Sequence, residues 1–140
     1  MKVLALVLIA YTAVMLLIHV TSGKLFKLWN GPGDSWVKRW FSAQVALRVE
    51  ALYWLLVLAS WPFWPSGGWK TVVVVFAVIH LGAWLAGERQ VLRSGAPSAL
   101  PPKARRFVVA FDLVEAVALV AIAWLTVLHL LHGGRPFSGA

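Results

Sequence analysis

Cysteine is absent from the 140-residue chain, which excludes disulfides, thiolate nucleophiles, iron–sulfur clusters and Cys-based zinc sites together. Charge is almost as scarce. Asp, Glu, Lys and Arg make up 13% of the sequence, against about 25% in ordinary soluble domains. Acidic residues are scarcer than basic ones, five against thirteen. Also missing are the alternating apolar and polar runs of amphipathic strands and any internal repeat or low-complexity tract. A water-soluble fold is excluded on these grounds, because 61% hydrophobic residues leave too few polar side chains to cover a soluble surface.

What is present is apolar length. Four runs, at 3–21, 43–64, 69–87 and 107–131, are each about as long as a helix needs to cross a hydrocarbon core. In lipid every backbone polar group must be satisfied within its own segment, so these runs are expected to be helices. The valine run at 72–75 would favour a strand in water, but its apolar flanks and lack of alternation favour a spanning helix. The predicted fold is therefore an all-α integral membrane protein of one domain, 1–140, with four transmembrane helices in an antiparallel up-down bundle.

The net charge of +8 would point to nucleic acid in a soluble protein. Here the basic residues lie between the apolar runs, so they read as topology signals and headgroup contacts, and no nucleic-acid partner is expected. Lys24, Lys27, Lys38 and Arg39 fall in a loop at 23–42, and Arg89, Arg93, Lys103, Arg105 and Arg106 in a loop at 88–106. Only Lys70 lies in the connection between them, and Lys2 and Arg135 mark the termini. The positive-inside rule then puts the two basic loops in the cytoplasm and both termini outside, in a multi-pass protein of a bacterial inner membrane. Cleavage of the first run as a signal peptide is disfavoured, since it would strand the basic first loop on the wrong side.

Tryptophan occurs nine times, mostly at predicted interfaces, where Trp29, Trp36, Trp40, Trp61, Trp64 and Trp69 form aromatic belts. The loop at 23–42 turns at Asn30-Gly31-Pro32-Gly33-Asp34 and is expected to lie along the membrane. Trp54, Trp84 and Trp124 are deeper and read as packing residues. Gly82 and Ala86 have the spacing that permits close helix approach.

Polar residues converge toward the cytoplasmic end of the predicted bundle. His19 falls in the last turn of the first span, Arg48 and Glu50 in the first turns of the second, Glu88 and Arg89 at the exit of the third, and Asp112 and Glu115 near the entry of the fourth. Charges within a bilayer face the bundle interior and pair. Asp112 and Glu115 share one helix face, and Arg48 is the expected partner of these two carboxylates. The cluster is either a set of structural helix-end pairs or a site for a ligand, proton or ion. No catalytic residue and no metal ligand set is evident, and no cofactor is expected. A haem b held through His80 is disfavoured because the four histidines fall at different predicted depths.

The layout over 40–131 resembles the membrane-associated proteins in eicosanoid and glutathione metabolism. Ala43-Gln44-Val45 leading into Glu50 is similar to that family's Arg-Ala-x-x-Asn-x-x-Glu entry to its second helix, with Ala43 and Leu47 in place of the Arg and Asn and Tyr53 in place of a following Pro. Arg89, Leu92, Gly95 and Ala96 keep the spacing of the family's Arg-x-x-Tyr-x-x-Gly-Tyr without either tyrosine. The resemblance implies a glutathione-binding membrane enzyme or an inactive relative, with Arg89 and Glu50 lining the glutathione site. The leading expectation is different. It is a non-catalytic accessory subunit held in the lipid bilayer by other membrane subunits or as a homo-oligomer, and a small transporter or proton-handling protein is a further alternative.

Overall fold

The apolar runs form helices that run well past the hydrophobic stretches themselves. The computed structural model describes residues 2–65, 67–95 and 100–132. Within these, α1 spans Lys2–Asn30, α2 Trp36–Trp40, α3 Ala43–Ala59, α4 Gly68–Ser94 and α5 Pro102–Leu131, with one 3-10 turn at Trp61–Phe63 and no strand. Three helices, α1, α4 and α5, are long and apolar enough to cross a membrane. Most of the apolar surface in their spanning windows faces outward rather than into the protein. Val78 and Val117, for example, are 64% and 72% exposed. With 17 residues, α3 is about 26 Å long, slightly less than a hydrocarbon core of about 30 Å.

The basic segments expected as loops at 23–42 and 88–106 begin as helix. Gly23 does not stop α1, because a single glycine costs a helix only about 1 kcal/mol and here it packs against Val109 of α5. The helix continues through Lys24 and Lys27, whose side chains are exposed, and ends at Asn30 before Gly31 and Pro32. Lys27 in the last turn complements the negative end of the helix dipole. Helix α4 likewise continues past 87 to Ser94. It ends where Gly95 takes a left-handed φ of 71° and donates its amide to the Val91 carbonyl, a conformation that glycine adopts without a Cβ penalty. Pro102 opens α5 five residues before the predicted start, since proline fits the first helical position. Ala96 and Pro97, and the terminal Gly133, Gly134, Arg135 and Pro136, lie outside the described residues.

The turn between α1 and α3 is built by short-range bonds. The Ser35 hydroxyl caps α2 by accepting from the Lys38 amide, and the Ser42 hydroxyl caps α3 by accepting from the Val45 amide. Trp29 donates its indole N–H to the Phe41 carbonyl at 2.6 Å, holding the end of α1 against this connection.

Neighbouring helices run antiparallel. Tyr11 of α1 lies against Tyr53 of α3, and Trp29 near Phe41; Trp54 of α3 meets Phe76 of α4 while Arg48 meets Glu88; His19 of α1 meets Glu115 of α5 while Gly23 meets Val109. Helix α1 packs along α5 and α3 along α4, and α1 joins the two pairs through α3. Across the remaining face, α4 and α5 meet mainly through large side chains such as Phe76 and Phe111. An apolar cleft of about 460 Å³, lined by Trp69, Phe76, Leu113 and Val117, opens beside them. The core holds Leu8, Met15, Val57, Leu119 and Ile122, with Phe63 and Trp64 closing one end.

Candidate functional site

Burying an ionisable group in this core is costly unless it is paired, and the bundle buries one carboxylate completely. Glu115 is 0% exposed, and His19 and His80 beside it are 1% and 6% exposed. Because the helices overrun the apolar stretches, these residues fall near the middle of α1, α4 and α5 rather than at their ends. His19, expected in the last turn of its span, has eleven further residues of helix after it. The depth argument against pairing the histidines is therefore corrected: His19 and His80 sit at one level, with ring centroids 6.4 Å apart.

Each imidazole is fixed by its own helix. Nδ1 of His19 lies 2.8 Å from the Met15 carbonyl, and Nδ1 of His80 lies 2.8 Å from the Phe76 carbonyl. A carbonyl only accepts, so Nδ1 carries the proton in both rings. The two Nε2 atoms then face the carboxylate. His19 Nε2 is 3.2 Å and His80 Nε2 2.9 Å from the same oxygen, Glu115 Oε2. The other oxygen, Oε1, accepts from the indole N–H of Trp54 on α3 at 3.1 Å. The Trp54 ring is stacked on both Phe76 and His80 at 5.5 Å between centroids, so its N–H direction is set by packing. All four long helices thus contribute one side chain.

Oε2 of Glu115 and Nε2 of His19 are fully buried, and with Nδ1 carrying the proton of the neutral ring they meet acceptor to acceptor. Nε2 of His19, Nε2 of His80 and a Glu115 carboxylate oxygen lie within 4.8 Å of one another. Two more carboxylates flank this cluster. Glu50, one turn before Trp54 on α3, interacts electrostatically with both imidazoles and with Glu115, and Asp112, one turn before Glu115, does the same. Among the described residues no Lys or Arg pairs with any of the three.

Four of the predicted site residues therefore gather here: His19, Glu50, Asp112 and Glu115. The other three do not. Arg48, the expected partner of the α5 carboxylates, instead makes a two-point ion pair with Glu88 at 2.6 and 3.1 Å, with its side chain 53% exposed. Trp84 adds its indole N–H to the same Glu88 carboxylate at 3.0 Å. Arg89 is exposed. The physical reason is direction: Arg48 lies on an exposed face of α3, turned to Glu88 of α4. Sequence reasoning missed His80 and Trp54. The only available signal was that His80, Trp54 and Glu115 are interior polar groups needing partners.

The same geometry weighs against a bis-histidine haem. Axial imidazoles point at iron from opposite sides of a ring, whereas both Nε2 atoms here point at one carboxylate oxygen. No protein-family model matches the chain, and neither a curated protein nor a solved structure matches it.

Proposed function

We propose that the chain is a small ion-handling or transport protein of a bacterial cytoplasmic membrane, which binds a cation at the His19–His80–Glu115 cluster within its bundle. In this reading α3, extended by the turn at Trp61–Phe63, is the fourth crossing. The basic ends around Lys24 to Arg39 and Arg89 to Arg106 face the cytoplasm, and both termini face outward.

One observation carries the reading: both Nδ1 atoms are committed to backbone carbonyls while both Nε2 atoms converge on one buried carboxylate oxygen. Neutral imidazoles would then oppose lone pair to lone pair, and the Glu115 carboxylate would leave a negative charge in a region of low dielectric. A positive ligand resolves both problems. Ionisable groups at this depth are expensive and mark ion pathways.

Purified protein in liposomes tests it. An imposed proton or divalent-metal gradient is expected to give a flux that Glu115→Gln lowers at least tenfold. Flux of neither kind above that of empty liposomes would sink the transport reading.

The accessory-subunit reading is supported by a different feature. The cleft beside α4 and α5 has an apolar lining of the kind that a helix of another subunit or a second copy would cover, and such a partner should remain bound in mild detergent. For the glutathione-family reading, Glu50 lies by the cluster and Arg89 is exposed. The supporting outcome would be thermal stabilisation by glutathione that Arg89→Ala removes.

A further inference from the structure

We infer that His19, His80 and Glu115 are the protein ligands of a first-row divalent transition metal of the zinc class, bound through Nε2, Nε2 and Oε2. The inference rests on reading the cluster as a cation site and names the cation.

Three features point to a metal. The first is convergence. With each Nδ1 committed to a backbone carbonyl, both Nε2 atoms are turned to one buried carboxylate oxygen, at 3.2 and 2.9 Å. A proton on Glu115 would serve at most one ring, whereas one cation would serve all three atoms.

The second is spacing. Metal bonds to nitrogen and oxygen of about 2.0–2.1 Å in a tetrahedral shell set neighbouring ligand atoms about 3.3 Å apart. The observed separations from Oε2 are 3.2 and 2.9 Å, so these two edges fit to a few tenths of an ångström, and all three atoms lie within 4.8 Å of one another.

The third is the surrounding shell. A metal-bound histidine usually donates its other N–H to a carbonyl or carboxylate, which fixes ring and tautomer, and a bound carboxylate is itself hydrogen-bonded. His19 to Met15, His80 to Phe76 and Trp54 to Glu115 Oε1 supply all three bonds. These contacts orient the ligands before any ion arrives.

Two imidazoles and one carboxylate form a donor set suited to zinc and its neighbours, not to calcium or magnesium, which prefer all-oxygen shells. Three protein ligands leave a fourth position open. Glu50 and Asp112 flank the site and interact electrostatically with its three residues.

The test uses the full chain, purified in mild detergent with any affinity tag removed, stripped with a chelator and titrated with zinc or cobalt(II). The expected result is one zinc per chain, visible cobalt bands of a four-coordinate nitrogen–oxygen site, and a higher melting temperature for the loaded protein. Glu115→Gln keeps the side-chain volume and an acceptor for Trp54, and is expected to weaken zinc binding at least 100-fold; His19→Gln and His80→Gln should act alike. Trp54→Phe should retain the stoichiometry with affinity lowered about 10- to 100-fold. His129→Ala should leave binding unchanged. Absence of zinc binding by the folded wild-type protein, or unaltered binding by Glu115→Gln, overturns the inference. Proton flux without metal binding overturns it too while leaving the cation reading intact, whereas zinc binding without flux supports it and removes only the transport reading.

Discussion

The bundle buries histidine in two places and treats it in opposite ways. Near mid-helix, His19 and His80 converge on Glu115, and each ring is held by a bond to its own backbone. Toward the C-terminal end of α5, His129 is equally buried at 1% exposure but lies flat on Phe63, with ring centroids 4.2 Å apart. Neither of its ring nitrogens has a hydrogen-bond partner among the described residues. The first region uses imidazole as a donor and ligand, and the second uses it as a flat aromatic surface. Burial alone therefore says little about what a histidine does; the groups opposite its nitrogens decide it.

The largest expected effect is at the carboxylate that organises the first region. Glu115→Ala removes the acceptor for Trp54 and the anion opposite two imidazoles. Removing one member of a buried charge network typically destabilises by about 3–5 kcal/mol, so unfolding of the variant in mild detergent should shift far below wild type. A change as small as that of a surface substitution would erase the distinction between the two histidine regions. Trp54→Phe ranks second. The phenyl ring can keep the stacking on Phe76 and His80 but leaves Oε1 without its buried donor. A hydrogen bond to a charged group contributes about 1.5–3 kcal/mol, and the same unfolding measurement should show a loss of that order.

Much of the fold is visible in the apolar runs, and the part that is not shows why the site was only half legible. The runs identify α1, α4 and α5, and Ser42 ahead of an apolar stretch marks the start of α3. Hydropathy reports the thickness of the hydrocarbon and not the length of a helix, which continues as long as its backbone bonds close. Lys24 and Lys27 on the exposed faces of α1 read as loop residues in a hydropathy scan, yet lysine is a good helix former. Measuring depth from those apparent ends put His19 at a helix terminus and separated it from His80. Asp112 and Glu115 stood out because carboxylates are rare in such a sequence. Arg48 stood out as a charge in an apolar run, but a sequence does not reveal that its helix face is turned outward and toward Glu88. Trp54 does pack, as an indole in a bundle is expected to, and its N–H still needed an acceptor.

The second histidine region predicts a change of opposite sign. Replacing a buried polar group that has no partner with an apolar group of similar shape is close to neutral or stabilising. His129→Phe is therefore expected to leave stability within about 1 kcal/mol of wild type or to raise it, with the ring stack on Phe63 preserved. A loss as large as that of Glu115→Ala would mean that His129 has an essential polar partner and that the two regions are alike.

The smallest effect is expected at Arg48, and it sharpens the contrast between interior and rim. The Arg48–Glu88 pair has short contacts, but its guanidinium is 53% exposed. Exposed pairs gain little because water screens them and two long side chains lose freedom. Salt weakens them further, since the screening length is about 10 Å at 0.1 M ionic strength. If Arg48 served the α5 carboxylates, Arg48→Gln would strand Glu115 and Asp112 and approach Glu115→Ala in severity. With Glu115 already facing His19, His80 and Trp54, the expected outcome is a melting temperature barely changed at low salt and unchanged at high salt. The charge a bundle can least lose is then the one that water cannot reach.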